Sequence, residues 1–222
     1  MKVSSVIKET PSVITLTLRP DGREPFPFRA GQTVELSFVD LPELKSHYAL
    51  SCASGSGFLE VTVKRSGLLA ARLSTVRVGD RVLVDGPFGN WVFDGGERES
   101  VFVCGGTGIS PIRAMFQEGL KLKLRPKMSL FYSARTVADI IYAKELAAWQ
   151  SQGWVTVYIT LTRVDAGSWT GATGRLSAVT FAQAGIDFSA ACFYLCGPKG
   201  FVTDLETGLL DAGVPRDRVR HP

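Results

Sequence analysis

The sequence predicts two domains: an antiparallel Greek-key β-barrel over residues 1–96, then an α/β domain built on a parallel sheet over residues 97–222. Three observations carry this expectation. The hydrophobic period changes near residues 94–100, from alternation of two residues to an alternation of strands and helices. Residues 100–115, SVFVCGGTGISPIRAM, run an apolar strand into a three-glycine turn that opens a helix behind Pro111. Residues 193–197, FYLCG followed by Pro198, form a second apolar strand ending in a small-residue turn.

Ahead of the boundary the strands read in order. Ile14, Leu16 and Leu18 share one face, as do Val34, Leu36 and Phe38, and Leu59, Val61 and Val63 alternate with Glu60, Thr62 and Lys64. Turn residues separate them at Pro20-Asp21-Gly22, Ala30-Gly31-Gln32, Ser54-Gly55-Ser56-Gly57 and Val78-Gly79-Asp80. Half-buried antiparallel strands cut at such intervals close into a small barrel. One short helix, residues 68–76, interrupts them. The polar stretch DGGERES, residues 94–100, marks the break between domains. Beyond it, strands at 101–104, 128–133, 155–162 and 192–196 alternate with helices at 111–120, 138–150, 176–183 and 202–212.

The glycine-rich turn predicts a nucleotide phosphate site. Gly105, Gly106 and Gly108 let the main chain turn tightly and approach a pyrophosphate with no Cβ in the way, and Thr107 adds a hydroxyl. Pro111 removes only an N–H that a first helical turn leaves free, so the remaining N–H groups and the positive helix end face the anion. The spacing is not G-x-G-x-x-G, so the ribose-acid rule of that motif does not carry over. Open α/β sheets bind ligands at the carboxyl ends of their strands, where both turns fall. Cys196 then either borders the ligand or packs as a small buried thiol.

Composition narrows the classes. At 222 residues with 45% apolar content, the chain is long enough for two modest domains, and its mean hydropathy of +0.13 is ordinary for a globular protein. The net charge of +4 is spread without long runs of one sign, which argues against a nucleic-acid groove and leaves room for a local patch facing an acidic partner. The N-terminus MKVSSVIKE has no apolar core and no run reaches membrane-spanning length, so neither export nor a membrane is expected and a cytoplasmic location follows by default. Cys52, Cys104, Cys192 and Cys196 show neither a C-x-x-C pair nor iron–sulfur spacing, and His47 and His221 are too few for a histidine-rich site, so no metal is expected.

Several motifs then fall in one order: GGTGISP at 105–111, YSART at 132–136 followed by Asp139 and Tyr142, TGR at 173–175 and CGP at 196–198. Upstream stand Ala30-Gly31-Gln32, Tyr48, and Gly79-Asp80 leading to Gly86-Pro87-Phe88-Gly89. Over nearly the whole chain these resemble the ferredoxin-NADP reductase family of flavin and nicotinamide oxidoreductases. The resemblance implies FAD or FMN on the barrel, NADPH or NADH on the α/β domain, and a separate electron acceptor such as a ferredoxin or an oxygenase component.

On the flavin side the resemblance assigns Ser46, His47, Tyr48, Ala49 and Leu50, then Val63 and Lys64, and the turn Gly67, Leu68, Leu69 and Ala70. Tyr48 matches the aromatic that packs on the flavin ring and is assigned with Cys196 to the reacting centre. Two matches fail. Ser46 stands where a phosphate-binding arginine is expected, and Ala49 where a hydroxyl is expected near the ring's reactive nitrogen. Lys45 lies on the opposite face of the strand and is a poor substitute; Ala70 likewise replaces a hydroxyl residue in the helix turn. Flavin binding is therefore expected to be weakened, with Lys64, Arg65 or Arg72 either supplying charge or simply solvated.

On the nicotinamide side the resemblance assigns Gly105, Gly106, Thr107, Gly108, Pro111, Ser133, Arg135, Arg163, Arg175, Cys196, Gly197 and Pro198. Arg135, Arg163 and Arg175 each suit a phosphate, which favours NADPH; the alternative is that they cap helices or pair with carboxylates. Ser168, Trp169 and Thr170 precede TGR, and Trp169 either covers an adenine or fills a loop core. The chain ends at His221-Pro222 without the aromatic end or acidic tail common in the family, and the separate acceptor is expected accordingly. Two other functions stay open: a nucleotide-binding regulatory module that has lost flavin chemistry, and an electron-transfer component of the kind found beside dihydroorotate dehydrogenases. The missing cysteine cluster argues against the second.

Overall fold

The change of hydrophobic period becomes two kinds of sheet in a computed structural model that describes residues 1–22, 26–93, 95–123, 127–151, 155–164 and 169–222. Asp94 of the DGGERES stretch and Ser168 ahead of TGR lie outside the described residues.

The first part contains β1 (Lys2–Thr10), β2 (Val13–Arg19), β3 (Thr33–Phe38), β4 (Leu41–Ala49), β5 (Leu59–Lys64), the short helix α1 (Leu68–Leu73) and β6 (Leu83–Phe88). They form two antiparallel three-stranded sheets, β1-β2-β5 and β4-β3-β6. Isolated bridges between Leu50 and Val61 and between Lys2 and Arg81 join these sheets, so the order around the barrel is 1-2-5-4-3-6. That is a Greek-key order. Leu16, Leu18, Val34, Leu36, Leu59, Val61 and Val63 fill the interior, as their alternation requires.

Two details depart from expectation. Helix α1 stops at Leu73 rather than residue 76, because the Ser74 and Thr75 hydroxyls donate to the Ala71 and Arg72 carbonyls at 2.6 and 2.8 Å and close its last turn. The polar face of β5 is also buried: Glu60 and Thr62, which read as a solvated face, are 9% and 6% exposed. They face the second domain.

That domain runs β7 (Glu99–Gly105), α2 (Ile109–Lys121), β8 (Lys127–Ala134), α3 (Ala143–Ser151), β9 (Thr156–Leu161), β10 (Ala172–Thr173), α4 (Ala178–Gln183), β11 (Ala191–Cys196), α5 (Lys199–Asp211) and β12 (Val219–Arg220). Its strands lie in the order β10-β9-β8-β7-β11-β12, all parallel. Every residue of the central β7 is buried, with Phe102 and Cys104 turned to the core on the α2–α3 side and Val101 and Val103 to that on the α4–α5 side.

The helix expected at 138–150 begins only at Ala143. Tyr142 takes φ 58, a left-handed conformation that breaks the helix, while Ile140, Ile141 and Tyr142 turn inward and the Ile141 N–H donates to the Tyr132 hydroxyl at 3.3 Å. A capping box between Ser177 and Thr180 starts α4 two residues later than expected, at Ala178. The joint between the domains is packed as well: the Phe93 ring stands edge-on to Phe102 and Tyr194 at 5.2 and 5.5 Å, and its N–H donates to Ala30 of the barrel segment.

Candidate active site

From β7 the chain builds outward to β10 and then returns to β11 on the other side of β7, so connectivity reverses between these two strands. A reversal of this kind opens a crevice at the carboxyl ends. Cys104 stands opposite Cys196 there. The chain leaving β7 makes a 3-10 turn over Gly106–Gly108 and enters α2, and the chain leaving β11 passes Gly197 and Pro198 into α5. Gly108 is where the two turns touch: a Cβ at that position would lie 2.3 Å from the Cys196 carbonyl oxygen and 2.7 Å from the Gly197 nitrogen. Gly106 has φ 57 and only open space where a Cβ would project.

These turns form one wall of a cleft of about 670 Å³. The barrel supplies the other wall through Thr10, Ser12, Val13, Thr33, Ala49 and Lys64, with Trp91 of the joint between them. The cleft therefore gathers, from the residues singled out by sequence, Ala49, Lys64, Gly105, Gly106, Thr107, Gly108, Pro111, Ser133, Arg135, Cys196, Gly197 and Pro198. Ser46, His47, Tyr48, Leu50, Val63, Gly67, Leu68, Leu69 and Ala70 belong to the barrel outside that lining.

Pleating of β4 sorts the flavin-side residues. Ser46 and Tyr48 turn to the half-buried face, where Tyr48 packs against the barrel core, while Lys45 and His47 turn outward. The Lys45 ammonium lies 3.0 Å from Glu35, and His47 lies 3.8 Å from the same carboxylate with its ring edge-on to Phe88 at 5.4 Å. Lys45 is thus committed to the face away from Ser46. Helix α1 lies against both β4 and β5, with Leu69 and Ala70 buried, Leu68 exposed and Gly67 at φ 84 before its first turn.

Arg135, Arg163 and Arg175 follow β8, β9 and β10, three neighbouring strands, at their carboxyl ends. Arg135 alone of the three lines the cleft; the Arg175 guanidinium is 89% exposed and 4.0 Å from Asp204. Trp169 fills its loop, donating from Nε1 to the Ala172 carbonyl at 2.9 Å.

Residues not flagged by sequence also enter the cleft. Thr33 is paired with Ala49 across β3 and β4, so a hydroxyl-bearing side chain shares the face from which Ala49 lacks one. Trp91 lines the wall with its indole nitrogen buried and without a hydrogen-bond partner among the described residues. The Trp91 position follows the Gly86–Gly89 turn motif and was legible as an aromatic there; the Thr33–Ala49 pairing requires the register of the sheet.

Burial pushes the Cys196 thiol up to about 12. A thiol raised from 9.0 to about 12 carries roughly a thousandfold less thiolate at pH 8 than an ordinary one, so Cys196 stays a neutral thiol there. Alkylation of the native protein at pH 8 is expected to modify Cys196 far more slowly than the unfolded chain, as followed by peptide mass mapping. Equal rates in the two states would reject this assignment.

Comparison with known proteins agrees with the geometry. Residues 102–207 match the oxidoreductase NAD-binding domain family. The chain is 30% identical over 161 residues to one subunit of the Na(+)-translocating NADH-quinone reductase of Methylococcus capsulatus, an alignment covering 69% of this chain and 39% of that protein. The structure of the flavohem-like FAD/NAD-binding domain of nitric oxide dioxygenase from Vibrio cholerae O1 biovar El Tor superposes with a TM-score of 0.89 at 24% identity, covering 100% of this chain and 96% of that one. The ferredoxin reductase in carbazole 1,9a-dioxygenase superposes with a TM-score of 0.86 at 26% identity, covering 99% and 67%.

The Greek-key barrel, the parallel sheet and the glycine turn at its point of reversal define a two-domain protein of the nicotinamide-dependent oxidoreductase type. Residues 102–207 carry the oxidoreductase NAD-binding domain, and the solved structures that share the whole fold are ferredoxin-NADP reductase-like flavin and nicotinamide oxidoreductases. It spans about two fifths of the length of its NADH-quinone reductase relative. Among the described residues no helix is long and apolar enough to cross a membrane.

Proposed function

We propose that this chain carries electrons from NADH or NADPH through a bound FAD or FMN to a separate acceptor, such as a ferredoxin or an oxygenase component, in the cytoplasm. The observation that carries this reading is the cleft itself, in which the nucleotide-type turns of one domain face Ala49, Thr33 and Lys64 of the other. The residues present fit both groups. Open space at Gly106 and the main-chain approach that the glycines at 105, 106 and 108 allow suit a pyrophosphate, and the half-buried Tyr48 beside α1 suits an aromatic ring. A bound flavin supplies the redox chemistry, accepting a hydride and releasing electrons singly or as a pair.

The chain's own contribution is orientation. The turn at residues 105–108 and its neighbour at 196–198 seat the coenzyme, and Cys196 packs against it as a neutral thiol. Arg135, with Arg163 and Arg175 on the adjoining strand ends, forms the basic rim that meets an adenosine phosphate. A second reading, a nucleotide-binding regulatory module, is favoured by Ser46, Ala49 and Ala70, which withhold one cation and two hydroxyls from the flavin.

One experiment separates them. Purified protein is incubated with FAD or FMN, freed of excess flavin, and mixed anaerobically with NADH or NADPH while the flavin absorbance is followed. Bleaching within seconds supports the oxidoreductase; binding of coenzyme without flavin uptake supports the module. Within the first outcome, Arg135→Ala is expected to weaken NADPH more than NADH by about 1–3 kcal/mol, the range of a charge-assisted hydrogen bond. Equal losses for the two coenzymes would remove Arg135 from the phosphate site.

A further inference from the structure

Helix α2 carries the glycine turn on its amino end and a polar stripe along one face. Arg113, Gln117 and Lys121 recur every four residues with Glu118 beside them, and all four reach the barrel segment at residues 51–54 or β5. The Glu118 carboxylate accepts from the Ser54 N–H at 2.7 Å and from its hydroxyl at 2.9 Å, and the Lys121 ammonium donates to the Ser54 carbonyl at 2.7 Å. The opposite faces of α2, through Ile112, Met115 and Phe116, are in the core of the α/β domain.

Arg113 is the buried end of this stripe. Its side chain is 14% exposed, and Nη1 donates to Glu60 of β5 and to the Ser51 carbonyl, 2.7 Å away, while Nε donates to Glu145 of α3. The guanidinium also covers the Tyr142 ring at 4.5 Å, whose hydroxyl bonds to Thr62 of β5, itself 3.0 Å from the Thr15 hydroxyl of β2. Burial works against the charge on Arg113, but Glu60 and Glu145 outweigh it and hold its pKa above the ordinary value. Buried ion clusters of this kind add little stability compared with apolar residues of the same volume. What they add is direction, since each donor fits one angle and one distance where an apolar contact slides.

The clamp adjoins the cleft on both sides: Pro111 lines it two residues before Arg113, and Lys64 lines it at the end of the strand that carries Glu60. We propose that Arg113 is a positioning residue whose bonds to Glu60 and Glu145 fix the glycine turn at one separation from Ala49 and Lys64, and so set the contact between nicotinamide and flavin. This rests on the flavin reading above for its catalytic consequence, and on geometry alone for its mechanical one.

The test uses the full chain in two variants, Arg113→Met and the triple Arg113→Met, Glu60→Leu, Glu145→Leu. The triple replaces the ion cluster with apolar volume, so it folds without stranding a buried charge. Two readouts are taken: the rate of anaerobic flavin reduction at saturating NADH, with the long-wavelength absorbance of stacked nicotinamide and flavin, and, without any cofactor, the distance distribution between spin labels carried by unnatural amino acids at positions 8 and 199. The expected result is a reduction rate at least tenfold lower with the stacking band diminished, flavin affinity within twofold, and a narrow distance distribution in the parent that broadens in the triple variant. A triple variant that keeps its reduction rate within twofold and a narrow distribution overturns the proposal, as does a parent whose distribution is already broad. A parent that takes up no flavin, yet has a narrow distribution that the triple broadens, overturns the flavin reading while the clamp stands.

Discussion

Gly108→Ala is expected to destabilise the chain by about 3 kcal/mol, the upper part of the range for forcing atoms into a packed site. The added Cβ would fall 2.3 Å from the Cys196 carbonyl oxygen, and both partners are main chain, so neither rotates away. For a chain of this size that corresponds to a melting temperature lower by roughly 6–12 °C. Gly106→Ala tests the other requirement of the same turn. There φ is 57 with no atom within 4 Å of the new Cβ, so the cost is the left-handed conformation alone, about 1–2 kcal/mol. Thermal unfolding of the two variants should rank Gly108→Ala below Gly106→Ala, and Gly108→Ala should also part the two turns enough to weaken coenzyme binding. A reversed ranking would mean that the turns do not touch at Gly108.

Both turns were legible because their signals are local. A buried strand, glycines where the chain must bend or approach, and a proline inside the first helical turn occupy a dozen consecutive residues, and β7 and β11 then pair with Cys104 opposite Cys196. The barrel was legible for the same reason, since an inward face of Leu16 and Leu18 repeats at period two whatever the strand pairs with.

What sequence did not carry is whatever depends on the second domain. Glu60 and Thr62 alternate with Leu59, Val61 and Val63 as a solvated face would, yet they are buried because α2 and α3 bring Arg113 and Tyr142 to them. The same interface displaced the start of α3, where Tyr142 leaves the helical conformation and places its hydroxyl on Thr62 and its N–H on Glu9. Helix propensity over residues 138–142 has no term for a contact with a strand eighty residues away. Thr33 beside Ala49 belongs to this class too, because a cross-strand neighbour is defined by register rather than by spacing along the chain.

Ser46→Arg is expected to tighten flavin binding by about 1.5–3 kcal/mol, the value of a hydrogen bond to a charged group, which is roughly a tenfold to hundredfold lower Kd. The position decides this. Ser46 shares the half-buried face of β4 with Tyr48, the residue assigned to the flavin ring, whereas Lys45 and His47 project to the other face, where Glu35 holds Lys45 at 3.0 Å. Arg72 is no reserve, since its guanidinium pairs with Asp40 at 2.7 Å and lies over the Phe38 ring at 4.5 Å. With Lys45 held by Glu35 and Arg72 by Asp40, the phosphate at Ser46 is expected to rely on main-chain donors, and partial flavin occupancy after purification is the expected result. Fluorescence titration of the apoprotein with FAD and with FMN, parent against Ser46→Arg, measures the difference directly. A parent that keeps stoichiometric flavin through long dialysis, with no gain from the arginine, would assign the phosphate to another cation, of which Lys64 at the cleft wall is the one to replace next.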